Sequence, residues 1–267
     1  MYALIAGTGD LPGVLVDRLA GQGQRPLICA LDGYDPDVPG DLPLLRFRLE
    51  TLGSQIADLT ARGVTHLCLA GAVRRPMVDP AKIDAATAPL VPRLLAALGQ
   101  GDDGALRVIL SLFQEAGLTI VAAHDIAPDL LPSAGVLTPV QPDAAAIQAA
   151  TLGQGHVADM GRRDSGQACV VRPGQIIAEE GPAGTDAMLM SLIVDQALGA
   201  ILFKAPKPGQ DRRVDLPVIG PQTAQNAAAA GLSGIVIEAG GVMVMDMARV
   251  RDILMAHGMF LWIRAKV

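Results

Sequence analysis

The sequence has few aromatic residues: four Phe, two Tyr and one Trp among 267 residues, or 3%. Base-stacking recognition of nucleic acid needs exposed rings, and a phosphate backbone needs a basic footprint. With so few rings and a formal net charge of −6, the chain argues against a nucleic-acid-binding module. A small anionic ligand stays open, because it needs only a few local cations or one metal ion. Cysteine is scarce too. Cys29, Cys68 and Cys169 lack metal-ligand spacing, and their odd number suits a reducing compartment. Cys29 and Cys68 sit in the apolar runs PLICAL and HLCLAG and read as core. No apolar run approaches the ~20 residues of a membrane-spanning helix. No basic segment with a cleavage site precedes the opening strand. The expectation is a soluble, cytoplasmic protein, with peripheral contact at the inner membrane surface left open.

Several catalytic motifs are missing as well. There is no GxxxxGK[ST], no HExxH, no paired CxxC and no serine in a nucleophile-elbow context. Kinase, zinc-protease and serine-hydrolase readings lose support accordingly.

The chain is rich in short apolar segments separated by helical periods. Strands are expected at Tyr2–Ala6, Pro26–Leu31, His66–Ala70 and Thr119–Ala123. Between them, helices are expected over residues 51–62, 89–98 and 102–116, besides one after the first strand. Continuous rather than alternating apolar strands indicate a parallel sheet covered on both faces. Residues 128–142 hold Pro128, Pro132, Pro139 and Pro142 without clear period and read as a connection. A long helix over 143–162 follows, then a hairpin of CVV and QIIAE around Arg172–Gly174. A helix over 185–198 comes next, then strands at Ala200–Phe203, Gly234–Glu238 and Val242–Met245, with a helix over 223–230. The predicted fold class is α/β with two α/β domains. The first is a Rossmann-like N-terminal domain over 1–130. A linker over 131–142 leads to a C-terminal catalytic domain over 143–267, a mixed sheet with helices.

The segment Ala6-Gly7-Thr8-Gly9-Asp10-Leu11-Pro12 joins the first strand to the first helix, where a doubly wound sheet binds phosphate. Pro12 stands where the dinucleotide fingerprint wants its third glycine, although proline is tolerated in a first helical turn. Asp32, just after the second strand, sits where a ribose-binding acid is expected. An NAD(P)-binding oxidoreductase is therefore one alternative, and a non-catalytic nucleotide-sensing protein is another.

The richest polar segment runs from Lys204 to Gly220. Lys204, Lys207, Arg212 and Arg213 with Asp211 and Asp215 place four cations and two aspartates in twelve residues. Such a loop suits a pyrophosphate: cations neutralise phosphoryl oxygens, and a carboxylate holds Mg²⁺ or orients water. Asp215, between Val214 and Leu216, is expected to be buried and so to need a metal or an arginine as partner. Weaker candidates are Thr185 and Asp186 at a helix start, Asp102 and Asp103 at another, His124 with Asp125, Glu238, and Arg74 with Arg75. Helix capping is an equal reading for Thr185 and Asp186.

In order along the chain, IAGTGDLP, LAGAVRRP, QGDDGALR, SGQACVV, EGPAGTDAML, KAPKPGQDRRVDLPVIG and AAAAGLSGIVIEAGG resemble the LpxI-type UDP-2,3-diacylglucosamine pyrophosphatases of lipid A biosynthesis. The resemblance implies two α/β domains, a homodimer, and Mg²⁺-dependent hydrolysis of the pyrophosphate. The products would be 2,3-diacylglucosamine 1-phosphate (lipid X) and UMP. It implies Asp215 as the essential acid and metal ligand, with Gly7, Gly9 and Leu11 contributing to the ligand site. Gln167, Thr185, Asp186 and Lys204 are further substrate-binding candidates by their place in these motifs. Ala72 departs from the polar residue expected after Gly71. The lipid part of such a substrate needs apolar contacts, for which Met188, Met190, Met243, Met245, Met247, Met255 and Met259 are candidates, although core is the better reading for most.

Overall fold

The computed structural model describes residues 1–73, 77–98 and 102–266. The chain folds as two compact units: Met1–Pro128 with Asp211–Val214, and Asp129–Gln210 with Asp215–Val267. The fold is α/β throughout.

The first unit is a five-stranded parallel sheet. Its strands are β1 (Tyr2–Ala6), β2 (Leu27–Leu31), β3 (Leu44–Phe47), β4 (His66–Ala70) and β5 (Thr119–Ile120), in the order β3-β2-β1-β4-β5. The central strands are apolar on both faces because helices cover both. Helices α1 (Leu11–Gly21), α2 (Leu52–Ala61), α3 (Val91–Leu98) and α4 (Asp102–Glu115) connect the strands. One face packs Ala3, Ile5, Cys29 and Leu67 against Leu52, Ile56, Leu59, Leu110 and Phe113. Two expectations need correction. β3 is absent from the expected strands, since an edge strand with alternating exposure carries little apolar signal. β5 is only two residues long, because Ala123–Ile126 turns into a short helix, α5, whose N-terminus Asp125 caps through the Ala122 N–H at 3.1 Å.

The second unit holds a six-stranded mixed sheet. Its strands are β6 (Gly135–Val136), β7 (Ala168–Arg172), β8 (Gln175–Glu179), β9 (Ile201–Lys204), β11 (Gly234–Glu238) and β13 (Phe260–Arg264), in the order β6-β13-β11-β9-β7-β8. β9, β11 and β13 are mutually parallel, while β7 lies antiparallel to β8 and β9. β6 falls inside the segment expected to be a connection and pairs antiparallel with β13. β10 (Val218–Ile219) and β12 (Met243–Val244) form a separate parallel pair. Helix α6 (Ala144–Arg162), capped by Asp143 on the Ala146 N–H at 2.8 Å, covers one face with Ala149, Ala150, Val157 and Met160. The other face packs against α7 (Thr185–Met190), α8 (Val194–Ala197), α9 (Pro221–Ala229) and α10 (Met247–Ala256).

The single helix expected over 185–198 is two short ones. Ile193 is extended (φ −84°, ψ 117°) and breaks the run. Met190, Ile193, Val194 and Leu198 are exposed, so the apolar period there does not mark a core face. Met188, Met243, Met245 and Met259 are buried core, Met247 is half-buried and Met190 and Met255 are exposed. Among the described residues no helix is long and apolar enough to cross a membrane.

Candidate active site

In the first unit the glycine turn closes on the chain itself. The Gly7 N–H donates to Ala70 O at 2.8 Å, and Thr8 and Ala72 exchange backbone hydrogen bonds at 2.9 Å. A Cβ on Gly7 would lie 2.4 Å from Ala72 O, so the close approach that requires glycine there is to Ala72. Gly9 has φ +93°, a conformation that glycine adopts without strain. Gly7 is buried, Gly9 exposed and Leu11 half-buried. The turn thus brings Gly7, Gly9 and Leu11 together, with a structural reason for both glycines. Pro12 occupies the first turn of α1 and is buried. Asp32 is exposed, 3.9 Å from Arg48. Arg74 and Arg75 lie outside the described residues, as do the side chains of Asp102 and Asp103. His124 Nδ1 is buried without a hydrogen-bond partner.

The second unit gathers the chemistry. Lys204 ends β9, an apolar strand that draws its stem into the core, and the residue is 5% exposed. Its ammonium donates to Thr185 Oγ1 at 2.7 Å and to Val218 O at 3.0 Å. Thr185 opens α7 after Gly184, which at φ 87° turns the chain. The Thr185 hydroxyl does not cap the helix; it donates to Glu180 Oε1 in a short hydrogen bond. Glu180 Oε2 accepts the Gln167 N–H at 2.8 Å, and Oε1 stands 3.9 Å from Lys204 Nζ. Asp186 and Asp215 add their fields to that of Glu180 on the ammonium. Burial pushes the Lys204 pKa below the ordinary lysine value, and these three carboxylates oppose the shift.

Asp215 is half-buried rather than buried, and its side-chain partner within the protein is an amide. Gln210 Nε2 donates to Asp215 Oδ2 in a short hydrogen bond, while Gln210 Oε1 accepts the Lys207 N–H at 3.0 Å. The expected cradle of four cations is also revised. Lys207 pairs with Asp164 at 2.6 Å, Arg213 pairs with Asp211 at 2.6 Å, and Arg212 is exposed. Within this segment Lys204 alone carries a buried positive charge. Glu238, expected as a second acid, is half-buried at the end of β11.

Three carboxylates against one ammonium leave this cluster formally negative. Burying an ion pair costs several kcal/mol per ion before partners offset it, so stability alone is a poor reason for the arrangement. Charges perturbed by burial and by one another are a mark of functional sites. Asp186 Oδ1 and Gln167 Oε1 are buried acceptors with no hydrogen-bond partner. Each is an oxygen able to receive a ligand proton or a hard cation. Among the described residues no group of three or more His, Cys, Asp or Glu is placed to hold a metal by itself. The cluster thus joins five of the expected residues: Gln167, Thr185 and Lys204 by hydrogen bonds, and Asp186 and Asp215 through their fields. Sequence reasoning missed Glu180 and Gln210. Glu180 opens EGPAGTDAML and Gln210 lies within KAPKPGQDRR, so the motifs contain both without showing which side chain matters.

Two family models match the chain. Residues 1–130 match the LpxI N-terminal domain, and residues 133–262 match the LpxI C-terminal domain. The chain belongs to the LpxI family. It is 34% identical over 252 residues to the UDP-2,3-diacylglucosamine pyrophosphatase LpxI of Caulobacter vibrioides, covering 91% of this chain and 90% of that protein. The C-terminal family domain contains every residue of the charged cluster, from Gln167 to Val218.

Proposed function

We propose that this LpxI-family chain hydrolyses the pyrophosphate of UDP-2,3-diacylglucosamine to 2,3-diacylglucosamine 1-phosphate (lipid X) and UMP in lipid A biosynthesis. The observation that carries the reading is the buried Lys204 ammonium, held by Thr185 and Val218 and surrounded by Glu180, Asp186 and Asp215. A buried ammonium binds a phosphoryl oxygen strongly, because little solvent competes for it. Water attacks one phosphorus, the bridging P–O bond breaks, and the two phosphate products leave. Gln210 holds Oδ2 of Asp215, and Oδ1 is the oxygen proposed to meet the attacking water or a metal.

A pyrophosphate brings more negative charge to a site that is already formally negative, so a cation has to accompany it. The residues present fit Mg²⁺. Asp186 offers an unpartnered buried oxygen and Asp215 a half-buried carboxylate, and Mg²⁺ characteristically takes one or two carboxylates while keeping waters and substrate phosphates. When bound there, Mg²⁺ supplies charge neutralisation of the phosphoryl oxygens. Gly7, Gly9 and Leu11 are proposed to contribute to the substrate site. The reading includes a homodimer and a cytoplasmic location with peripheral contact at the inner membrane.

The test is UMP release from UDP-2,3-diacylglucosamine across a Mg²⁺ titration, with EDTA as control. Turnover is expected to require the metal, and Asp215→Asn is expected to abolish it while the circular dichroism spectrum stays unchanged. Full activity in EDTA would remove Mg²⁺ from the mechanism. Normal turnover by Asp215→Asn would remove Asp215.

A further inference from the structure

Glu180 is buried, yet it makes no direct hydrogen bond to the ammonium that it neutralises. It stands 3.9 Å from Lys204 Nζ, with the Thr185 hydroxyl between them. The Thr185 hydroxyl has one proton, and that proton goes to Glu180. Its lone pairs are thereby turned toward Lys204, which donates to them at 2.7 Å. A second ammonium proton goes to Val218 O at 3.0 Å. An ammonium has three N–H groups in fixed tetrahedral directions. With two directions committed to protein oxygens, rotation about the Cε–Nζ bond is fixed, and so is the direction of the third N–H. Glu180 itself is anchored by the Gln167 N–H at 2.8 Å, so this relay starts from backbone.

We propose that Glu180 is a positioning residue for the hydrolysis: acting through the Thr185 hydroxyl, it sets the rotation of the Lys204 ammonium and aims its third N–H at the phosphoryl group. This rests on the hydrolase reading given above. The interposed hydroxyl has a definite use. A carboxylate in direct contact would take one ammonium proton and bring its own negative charge into the phosphate's path. At 3.9 Å, Glu180 balances the ammonium's charge without taking a proton from it. Asp186 and Asp215 also act on the ammonium, but neither is hydrogen-bonded to it, so orientation falls to Thr185 and Val218.

The experiment compares Thr185→Val, Thr185→Ser and Glu180→Gln in the full-length chain, measuring kcat, KM and the Mg²⁺ concentration giving half-maximal rate. A misaimed catalytic group costs about 100-fold when reacting atoms are displaced by about an ångström. Thr185→Val is therefore expected to lose about 100-fold in kcat, with KM, the Mg²⁺ half-maximum and calorimetric binding of UMP unchanged. Thr185→Ser restores the hydroxyl and is expected to recover most of that loss. Glu180→Gln is expected to lower kcat in the same way, and it decides the matter if Thr185→Val does not fold. The proposal is overturned if Thr185→Val keeps its kcat, if Thr185→Ser is as poor as Thr185→Val, or if the loss appears in KM alone. An inert wild-type chain would overturn the hydrolase reading together with this one. An active wild type with an unaffected Thr185→Val overturns the positioning role alone.

Discussion

Two glycines lie two residues apart in α6 and should respond to alanine with opposite sign. Alanine at either position gains helix propensity of about 0.8–1.0 kcal/mol. At Gly155 nothing lies within 4 Å of the added methyl, so the gain is expected in full. At Gly153 the methyl would meet Phe203 Cβ at 2.8 Å, Phe203 Cγ at 2.9 Å and Val171 Cγ1 at 3.2 Å. Phe203 is 2% exposed, and its Cβ is tied to the strand backbone, so it cannot swing aside. Overpacking of this kind costs about 1–3 kcal/mol. The propensity gain is common to both variants and cancels in their difference, which isolates the clash. Thermal unfolding should therefore place Gly155→Ala above the wild type and Gly153→Ala at or below it. At about 2–4 °C per kcal/mol for a domain of 150–250 residues, the two midpoints should differ by at least about 2 °C. Equal midpoints would refute the reasoning, since they would mean that α6 does not press on β9 at Gly153. Because Phe203 immediately precedes Lys204, Gly153→Ala should also lower turnover, while Gly155→Ala should leave it unchanged.

The remaining predictions concern titration. Since burial lowers the Lys204 pKa, the rate should fall on an alkaline limb lying below the ordinary lysine range, and a limb at or above pH ~10.4 would contradict this. The stability effect has the opposite slope. Between the folded and the ordinary value the unfolded chain binds more protons, so this residue's contribution to stability rises with pH across that window. The thiols of Cys29, Cys68 and Cys169 are pushed up to about 12, chiefly by burial. Disulfide reagents at pH 8 should leave all three unlabelled in the native protein and label all three in denaturant. Rapid native labelling would show that the cores open far more readily than their packing implies.

The fold is legible in the sequence wherever a strand is buried on both faces. β1 and β4 match the runs YALIA and HLCLA residue for residue, because a strand covered on both sides needs an unbroken apolar sequence. α6 is legible from its length and from Asp143, whose short side chain caps it. Edge strands are not. β3 alternates in exposure and contains Arg46, and β6 has two residues held mainly by β13. The site divides in the same way. Asp215 stands out because a carboxylate beside an apolar run needs a partner, whereas Lys204 is marked only by its place in the KAPKP motif. Glu180 does not stand out, since a glutamate before Gly-Pro reads as an ordinary loop acid. Only the approach of β9 from elsewhere in the sheet gives it a buried ammonium to serve. The cationic loop fails in the other direction. Counting charges along the sequence cannot reveal that Lys207 is taken by Asp164, 43 residues away.

The assignment of Asp211–Val214 to the first unit has a consequence for dissecting the protein. Gln210 and Asp215, whose side chains hold each other, are the last residue before this excursion and the first after it. They close the neck of a four-residue loop whose Val214 packs in the first unit's core. A fragment cut at the boundary between the family domains would keep Glu180, Thr185 and Lys204 on their own scaffold. It would leave Val214 without its packing partners. The boundary that divides the sequence into two domains is therefore a poor place to divide the protein, because it parts Asp211–Val214 from the residues with which it forms one compact unit.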